Sequence, residues 1–101
     1  MNLVSNKTRE IVKKNFPRTC ENKISKLQDF CEYLSTLFSD KPQPETYERF
    51  CFAVLKIAQT SDVKFVTAIE LGRVDYRDLL VSADFANSLN SHSEWVNNAL
   101  N

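Results

Sequence analysis

The sequence predicts an all-α protein, a single-domain bundle of five to six helices over residues 1–101. Apolar residues recur at intervals of three and four in five segments, which is the spacing of one helical face. The chain also has one glycine and three prolines, too few for the many tight turns of an all-β sandwich or barrel. A chain of 101 residues has room for one hydrophobic core.

The first two helices are predicted over residues 5–16 and about 19–38. Pro17 ends the first, because proline disfavours a helical conformation at the preceding residue. Thr19 is the expected cap of the second, which shows the clearest periodicity in the chain. The apolar stripes are Val4, Ile11, Val12 and Phe16 in the first helix, and Ile24, Leu27, Phe30, Cys31, Leu34, Leu37 and Phe38 in the second.

The third helix is predicted to be the centre of the bundle. Pro44 suits its first position, where a missing N–H has no consequence, and Gln59 and Thr60 close it. A helix that is apolar on most sides is surrounded by other elements. The stripe is Tyr47, Phe50, Cys51, Val54, Leu55 and Ala58, and it is widened by Phe52, Ala53 and Ile57.

Three shorter helices are predicted after residue 60. Ser61 or Thr60 caps the fourth, and Gly72 is expected to end it in a left-handed conformation. Asp75 caps the fifth, and Asp78 approximates a capping box. The inward residues are expected to be Phe65, Val66 and Ile69 in the fourth helix and Tyr76, Leu79, Leu80 and Ala83 in the fifth; Ser91 and Glu94 open a last helix with Trp95, Val96 and Leu100.

Charge is balanced over the whole chain but unevenly distributed. Residues 1–26 contain seven basic and two acidic side chains, whereas residues 27–101 contain six basic and eleven acidic ones. A neutral chain argues against a dedicated nucleic-acid binder, and the simplest interpretation is that the two parts attract each other. Four residues still define a candidate basic face on the first helix: Lys7, Arg9, Lys13 and Lys14.

The cysteines Cys20, Cys31 and Cys51 form no CxxC pair, and with one histidine they match no familiar zinc-ligand spacing. We therefore expect no metal, no cofactor, and free thiols in a reducing, cytoplasmic compartment. The first residues lack the apolar stretch of a signal peptide. The longest near-apolar run, residues 50–58, is too short to span a bilayer, so no membrane association is expected.

Residues 73–78 are the strongest candidate for a partner-binding site, because Arg73, Asp75, Arg77 and Asp78 place four charges beside an apolar run. An arginine flanked by carboxylates suits an anionic ligand or a charged contact with a protein partner. The favoured alternative is structural. In it, Asp75 caps a helix, Asp78 favours the helix N-terminus, and Arg77 forms a salt bridge to another helix.

Catalytic chemistry has little support in the sequence. Asp75 and Asp78 lack a neighbouring nucleophile, base or metal partner. His92, the only histidine, is expected to lie on the surface near a helix start. The phosphate-binding, dinucleotide-binding and zinc-protease motifs are absent from the sequence. We therefore expect no catalytic residues.

Residues 50–85 resemble a family of small uncharacterised all-helical bacterial proteins. The similar features are an Ala-x-Leu-Lys-x-Ala helix at residues 53–58 and an Asp-Tyr-Arg-Asp-x-Leu element at residues 75–80, followed by Phe85 and Trp95. The linker at residues 59–62 departs from the family pattern, in which a glycine is expected. The resemblance implies a bacterial, all-helical, cytoplasmic protein and no known activity.

These features predict a small non-catalytic cytoplasmic protein that acts through protein–protein interaction, of the adaptor or toxin-immunity type. Segregated charge helps to steer a complementary partner, whose identity stays open. The first alternative is a nucleic-acid-binding regulator that uses the basic first helix, although that helix offers no free aromatic side chain to stack on bases. A weaker alternative is an enzyme that uses the Asp75 and Asp78 carboxylates in a cleft.

Overall fold

The computed structural model describes residues 3–38 and 43–83, together with Trp95 and Asn97. These ranges contain helices and no strand, which confirms the predicted all-α fold. Trp95 and Asn97, which belong to the predicted last helix, are helical; the rest of that helix and the expected surface position of His92 lie outside the described residues. The helices are α1 (Asn6–Asn15), α2 (Cys20–Leu37), α3 (Pro44–Ala58), α4 (Asp62–Val74) and α5 (Tyr76–Ser82).

Helix α3 is the centre of the bundle, because it contacts each of the other four helices. Eight of its 15 residues are buried, and Val54 has no exposed surface. The other helices each contribute one face to the same hydrophobic core. The prediction from the nearly all-round apolar sequence of α3 is therefore confirmed.

Individual hydrogen bonds confirm the predicted helix starts at residues 5 and 61. The Ser5 hydroxyl accepts the Thr8 backbone N–H at 3.2 Å, and the Ser61 hydroxyl accepts the Lys64 N–H at 3.2 Å. Thr19 is an exception. It occupies the N-cap position of α2, but its φ of −126° and ψ of 23° lie outside the extended region, and its side chain accepts no capping bond.

Gly72 does not end α4, contrary to the prediction. The helix continues to Val74, and no glycine has a positive φ in the part of the chain that the structure describes. Close packing is what requires glycine here. A Cβ at this position would overlap the Phe30 ring at Cζ and would lie 2.9 Å from Leu79 Cδ2. The missing side chain therefore allows α4 to approach α2 and α5 closely.

Two aliphatic residues predicted to face inward are exposed instead: Leu37 by 46% and Val66 by 38%. Leu37 is the last residue of α2 and lies one turn beyond Tyr33, whose hydroxyl already contacts Arg73 in the last turn of α4. Helix α4 therefore ends before it can cover Leu37. Val66 lines a surface groove between α2 and α4, where it is only partly covered.

Gln59 ends α3 in a backbone conformation that favours glycine, with φ 53° and ψ −105°. A side chain in such a conformation costs about 1–3 kcal/mol. We expect Gln59→Gly to raise the free energy of unfolding by about 1 kcal/mol, because relief of this strain exceeds the added backbone entropy of glycine. Urea denaturation measures the change. Gln59→Ala keeps the strain and is the control, and a less stable glycine variant would contradict the interpretation.

Lys23 is a buried charge that connects three parts of the bundle. It is 5% exposed, and its Nζ lies 2.7 Å from Asp62 Oδ1 at the start of α4. The same Nζ lies 5.2 Å and 5.5 Å from the ring centroids of Phe16 and Phe65, which are cation–π distances. Lys23 belongs to the basic part of the chain, residues 1–26, and Asp62 to the acidic part, residues 27–101. Their ion pair is an example of the predicted attraction between these two parts.

Removal of Asp62 is expected to destabilise the protein more than removal of the Lys23 charge. Asp62→Ala leaves a buried ammonium without its carboxylate, and we expect a loss of about 1–2 kcal/mol. Lys23→Met removes the charge but keeps an apolar chain against the two rings, so its stability should stay within about 1 kcal/mol of wild type. Urea denaturation of both variants at low salt tests this order, and the reverse order would contradict it.

Candidate functional site

Asp75 is the single residue between α4 and α5, and it forms hydrogen bonds with both helices. We call this position the joint. Its backbone N–H donates to the Leu71 carbonyl at 2.9 Å and so closes α4. Its Oδ1 accepts the Arg77 N–H at 2.9 Å, and its carbonyl accepts the Leu79 N–H at 3.3 Å. The predicted cap is therefore confirmed. Asp78 does not complete a capping box, because the Asp75 N–H that it would bind is already bonded within α4.

Arg73 is held in place by α2. The Tyr33 hydroxyl donates to the Arg73 backbone carbonyl at 2.9 Å, and the guanidinium carbon lies 5.2 Å from the Tyr33 ring centroid, a cation–π distance. Tyr33 was not among the residues predicted for the site. Its sequence spacing could have identified it, because Tyr33 follows Lys26 by seven residues and Asp29 by four, which puts all three on one face of α2.

Arg77 and Asp78 are exposed on α5. The guanidinium carbon of Arg77 lies 5.7 Å from the ring centroid of its neighbour Tyr76. The expected salt bridge from Arg77 to another helix is not present among residues 3–38 and 43–83. Tyr76 itself packs edge-on against Phe38 and Phe50, with centroid distances of 5.4 Å and 5.7 Å. Packing of Tyr76, rather than an ion pair of Arg77, thus fixes the start of α5.

A groove of about 200 Å³ runs between α2 and α4. The two helices are parallel, because Lys23 meets Asp62 near both helix starts and Tyr33 meets Arg73 further along both. We call the groove between these two helices the α2–α4 groove. It is lined by Lys26 and Asp29 of α2 and by Val66, Ile69, Glu70 and Arg73 of α4.

Charges follow a fixed order along the α2–α4 groove. Because the helices are parallel and each residue adds about 1.5 Å, Lys26 lies toward one end and Arg73 toward the other, with Asp29 and Glu70 between them. All four side chains are exposed. The groove therefore combines aliphatic side chains, Val66 and Ile69, with a basic, acidic, basic sequence of charges along its rim.

Helix α4 also presents aliphatic side chains beside the groove. Val63 is 76% exposed and Val74 is 86% exposed. With Glu70 they follow positions i, i+7 and i+11, which share one helical face. Single exposed aliphatic residues are ordinary, whereas several on one face are typical of an interaction surface. The solvent side of α4 therefore extends the groove into a wider, partly apolar surface.

The structure places only one of the four predicted partner-binding residues in the groove, which is Arg73. The Asp75 side chain serves as a cap, and the carboxylates of Asp75 and Asp78 do not line the groove. The candidate basic face lies on α1 rather than on α2 or α4. Its lysines Lys7, Lys13 and Lys14 are exposed, and Arg9 is half-buried.

In the described ranges, no group of three or more His, Cys, Asp or Glu side chains is placed to hold a metal ion. Among the helices of those same ranges, none is both long and apolar enough to cross a membrane. Comparison with family models, curated proteins and solved structures finds no match to this chain. The resemblance of residues 50–85 to small bacterial proteins stays a prediction.

Asp75→Ala is expected to lower the free energy of unfolding by about 0.5–2 kcal/mol, because the Arg77 N–H loses its acceptor at the start of α5. Asp78→Ala is the matched control. It removes an exposed carboxylate from the same helix turn, so only a loss of about 0.5 kcal/mol from the helix dipole is expected. Thermal melts of both variants test the difference, and equal losses would contradict the capping role.

Proposed function

We propose that this chain is a small non-catalytic protein, of the adaptor or toxin-immunity type, that acts by binding another protein along the α2–α4 groove. The observation that carries the proposal is the groove itself. It combines aliphatic side chains with a basic, acidic, basic sequence of charges along its rim, and exposed valines lie on the adjoining face of α4. A bacterial, cytoplasmic setting is part of the proposal, and the free thiols of Cys20, Cys31 and Cys51 are consistent with a reducing compartment.

An amphipathic helix is the partner element that suits this groove. Its apolar side chains would contact Val66 and Ile69. Its rim would carry an acidic residue at each end, facing Lys26 and Arg73, and a basic residue between them. Lys26 and Asp29 are three residues apart on one helix, so the partner's charges should recur about once per helical turn. Such a pattern selects the partner and its orientation more than it adds affinity.

Arg73 is proposed as the anchor of the partner. Arginine is enriched among the residues that dominate interface energies. The Tyr33 contacts already hold this arginine against α2, so less side-chain entropy is lost when a carboxylate pairs with it. Asp75, Arg77 and Asp78 follow it on the joint and on α5 and extend the charged rim beyond the groove.

The nucleic-acid alternative would use Lys7, Lys13 and Lys14, which are exposed on α1. Base stacking would require a free aromatic ring nearby. Phe16 is 5% exposed and packs edge-on against Phe65, with a centroid distance of 5.6 Å. Its ring is therefore buried in the core and is not accessible to a base. This packing favours a protein partner over a nucleic acid.

Affinity capture from the native organism, followed by mass spectrometry, tests the proposal. We expect a protein that is retained by the wild-type chain and lost with Arg73→Glu, because charge reversal places like charges across the interface. With the purified partner, the Kd should rise about tenfold or more, as expected for loss of an anchoring arginine. A synthetic peptide from the partner's amphipathic helix should compete for binding.

Lys13→Glu is the matched control, since it makes the same charge reversal at an exposed site on α1. It should retain the partner, and both variants should melt within a few degrees of wild type. Unchanged capture by Arg73→Glu would contradict the groove proposal. Capture that is lost with Lys13→Glu, and abolished by nuclease treatment of the lysate, would instead support the nucleic-acid alternative.

A further inference from the structure

Two thiols lie against each other in the core, between α2 and α3. Cys31 Sγ and Cys51 Sγ are 3.5 Å apart, both residues have no exposed surface, and both are free cysteines. They are 20 positions apart in sequence. The packing of α2 on α3 therefore brings together two nucleophilic groups that the proposed protein-binding function does not use.

The separation of these sulfurs is close to what a covalent bridge needs. A disulfide has an S–S length of about 2.05 Å, so the sulfurs must approach by only about 1.5 Å. Rotations of the two side chains about χ1, with small shifts of the helices, supply movements of this size. The resulting bridge would join α2 and α3, the two longest helices among the residues that the structure describes.

We propose that Cys31 and Cys51 are a redox-active pair, which a hydroperoxide converts into an intramolecular disulfide joining α2 to α3. One thiol attacks the peroxide, the O–O bond breaks, and a sulfenic acid and water (or an alcohol) form. The sulfur of the second cysteine then attacks the sulfenic sulfur, the S–O bond breaks, and water leaves. Two electrons from the thiols thus reduce one peroxide bond, and the two thiol protons end in the products.

Burial controls the rate and the product of this oxidation. The hydrogen bond with Cys31, together with burial, raises the pKa of the Cys51 thiol well above its ordinary value. Its reactive thiolate is therefore rare at neutral pH, and attack on a peroxide depends on local opening of the α2–α3 contact. Once a sulfenic acid forms, closure of the α2–α3 contact brings the neighbouring thiol back against it, and that thiol captures the sulfenic acid. The pair should consequently yield a disulfide rather than sulfinic acids.

Intact-mass spectrometry of a Cys20→Ser chain tests the proposal, because Cys20 is half-exposed and would otherwise cross-link between chains. The reduced protein is incubated with hydrogen peroxide, and the remaining thiols are alkylated after unfolding in acid. We expect a monomer that has lost two hydrogens and cannot be alkylated, and a linked pair of peptides containing Cys31 and Cys51 after digestion. Formation should speed up with rising pH and in mild urea.

The oxidised chain should keep its helical circular dichroism, and its Tm should rise by about 10 °C, because the bridge constrains the unfolded state. Cys20→Ser/Cys31→Ala and Cys20→Ser/Cys51→Ala are the controls, and neither should lose two hydrogens. Sulfinic acids without a linked peptide, chain-to-chain disulfides only, or an oxidised monomer that is unfolded would each overturn the proposal. None of these outcomes depends on whether a partner binds the α2–α4 groove.

Discussion

Val54→Asp is expected to remove about 4 kcal/mol or more from the free energy of unfolding, out of a typical total of about 5–15 kcal/mol. Val54 has no exposed surface and lies on α3, which contacts each of α1, α2, α4 and α5. A carboxylate there has no water, so the variant must either bury an unpaired charge or protonate it at neutral pH. Urea denaturation followed by circular dichroism measures the loss.

Val63→Asp is the matched control for this experiment. It makes the same replacement at a valine that is 76% exposed on α4, so the new carboxylate stays hydrated and the expected change is within about 0.5 kcal/mol. A Val54→Asp variant that melted within a few degrees of wild type would mean that α3 is not the centre of the core.

Gly72→Ala is expected to destabilise the protein by about 2 kcal/mol, although alanine is the better helix former by about 1 kcal/mol. The added Cβ overlaps the ring of Phe30, which is fully buried, and approaches Leu79 Cδ2 to 2.9 Å. Both neighbours are confined by the core, so α4 must shift away from α2 and α5. Differential scanning calorimetry should show a lower Tm, and far-UV circular dichroism should show native-like helix content.

A double-mutant cycle with Phe30→Leu tests whether overlap with the Phe30 ring causes the destabilisation by Gly72→Ala. The smaller side chain leaves room for the Cβ, so Gly72→Ala should be nearly neutral or stabilising in the Phe30→Leu background. A coupling energy of about 1–3 kcal/mol between the two positions is expected. An unchanged penalty in that background would show that the ring contact is not the reason for glycine.

Local patterns in the sequence predicted the helices and the central position of α3, because the apolar periodicity of a segment reports which of its faces is buried. The caps at Ser61 and Asp75 could also be predicted from local sequence, because the donor and the acceptor of each capping bond lie within three residues of each other. Thr19 shows the limit of this argument, since the capping bond also requires an extended backbone that the residue type does not determine.

The candidate site could be predicted only in part. Arg73 was identified from its local charge context, but the groove depends on the parallel packing of α2 and α4, and Tyr33 and Arg73 are 40 positions apart. Gly72 illustrates the same gap. Glycine serves either to turn the chain or to permit close approach, and only the distance between helices distinguishes the two uses.

The joint at Asp75 has no residue to spare, because α4 ends at Val74 and α5 begins at Tyr76. Insertion of one residue would rotate α5 by about 100° about its own axis. Leu79, which is fully buried, would then turn out of the core, and a deletion would rotate it the opposite way. The rotation of α5 about its axis, and so the set of its side chains that face the core, is thus fixed by the single residue between α4 and α5. Insertions that the fold tolerates are therefore expected elsewhere in the chain.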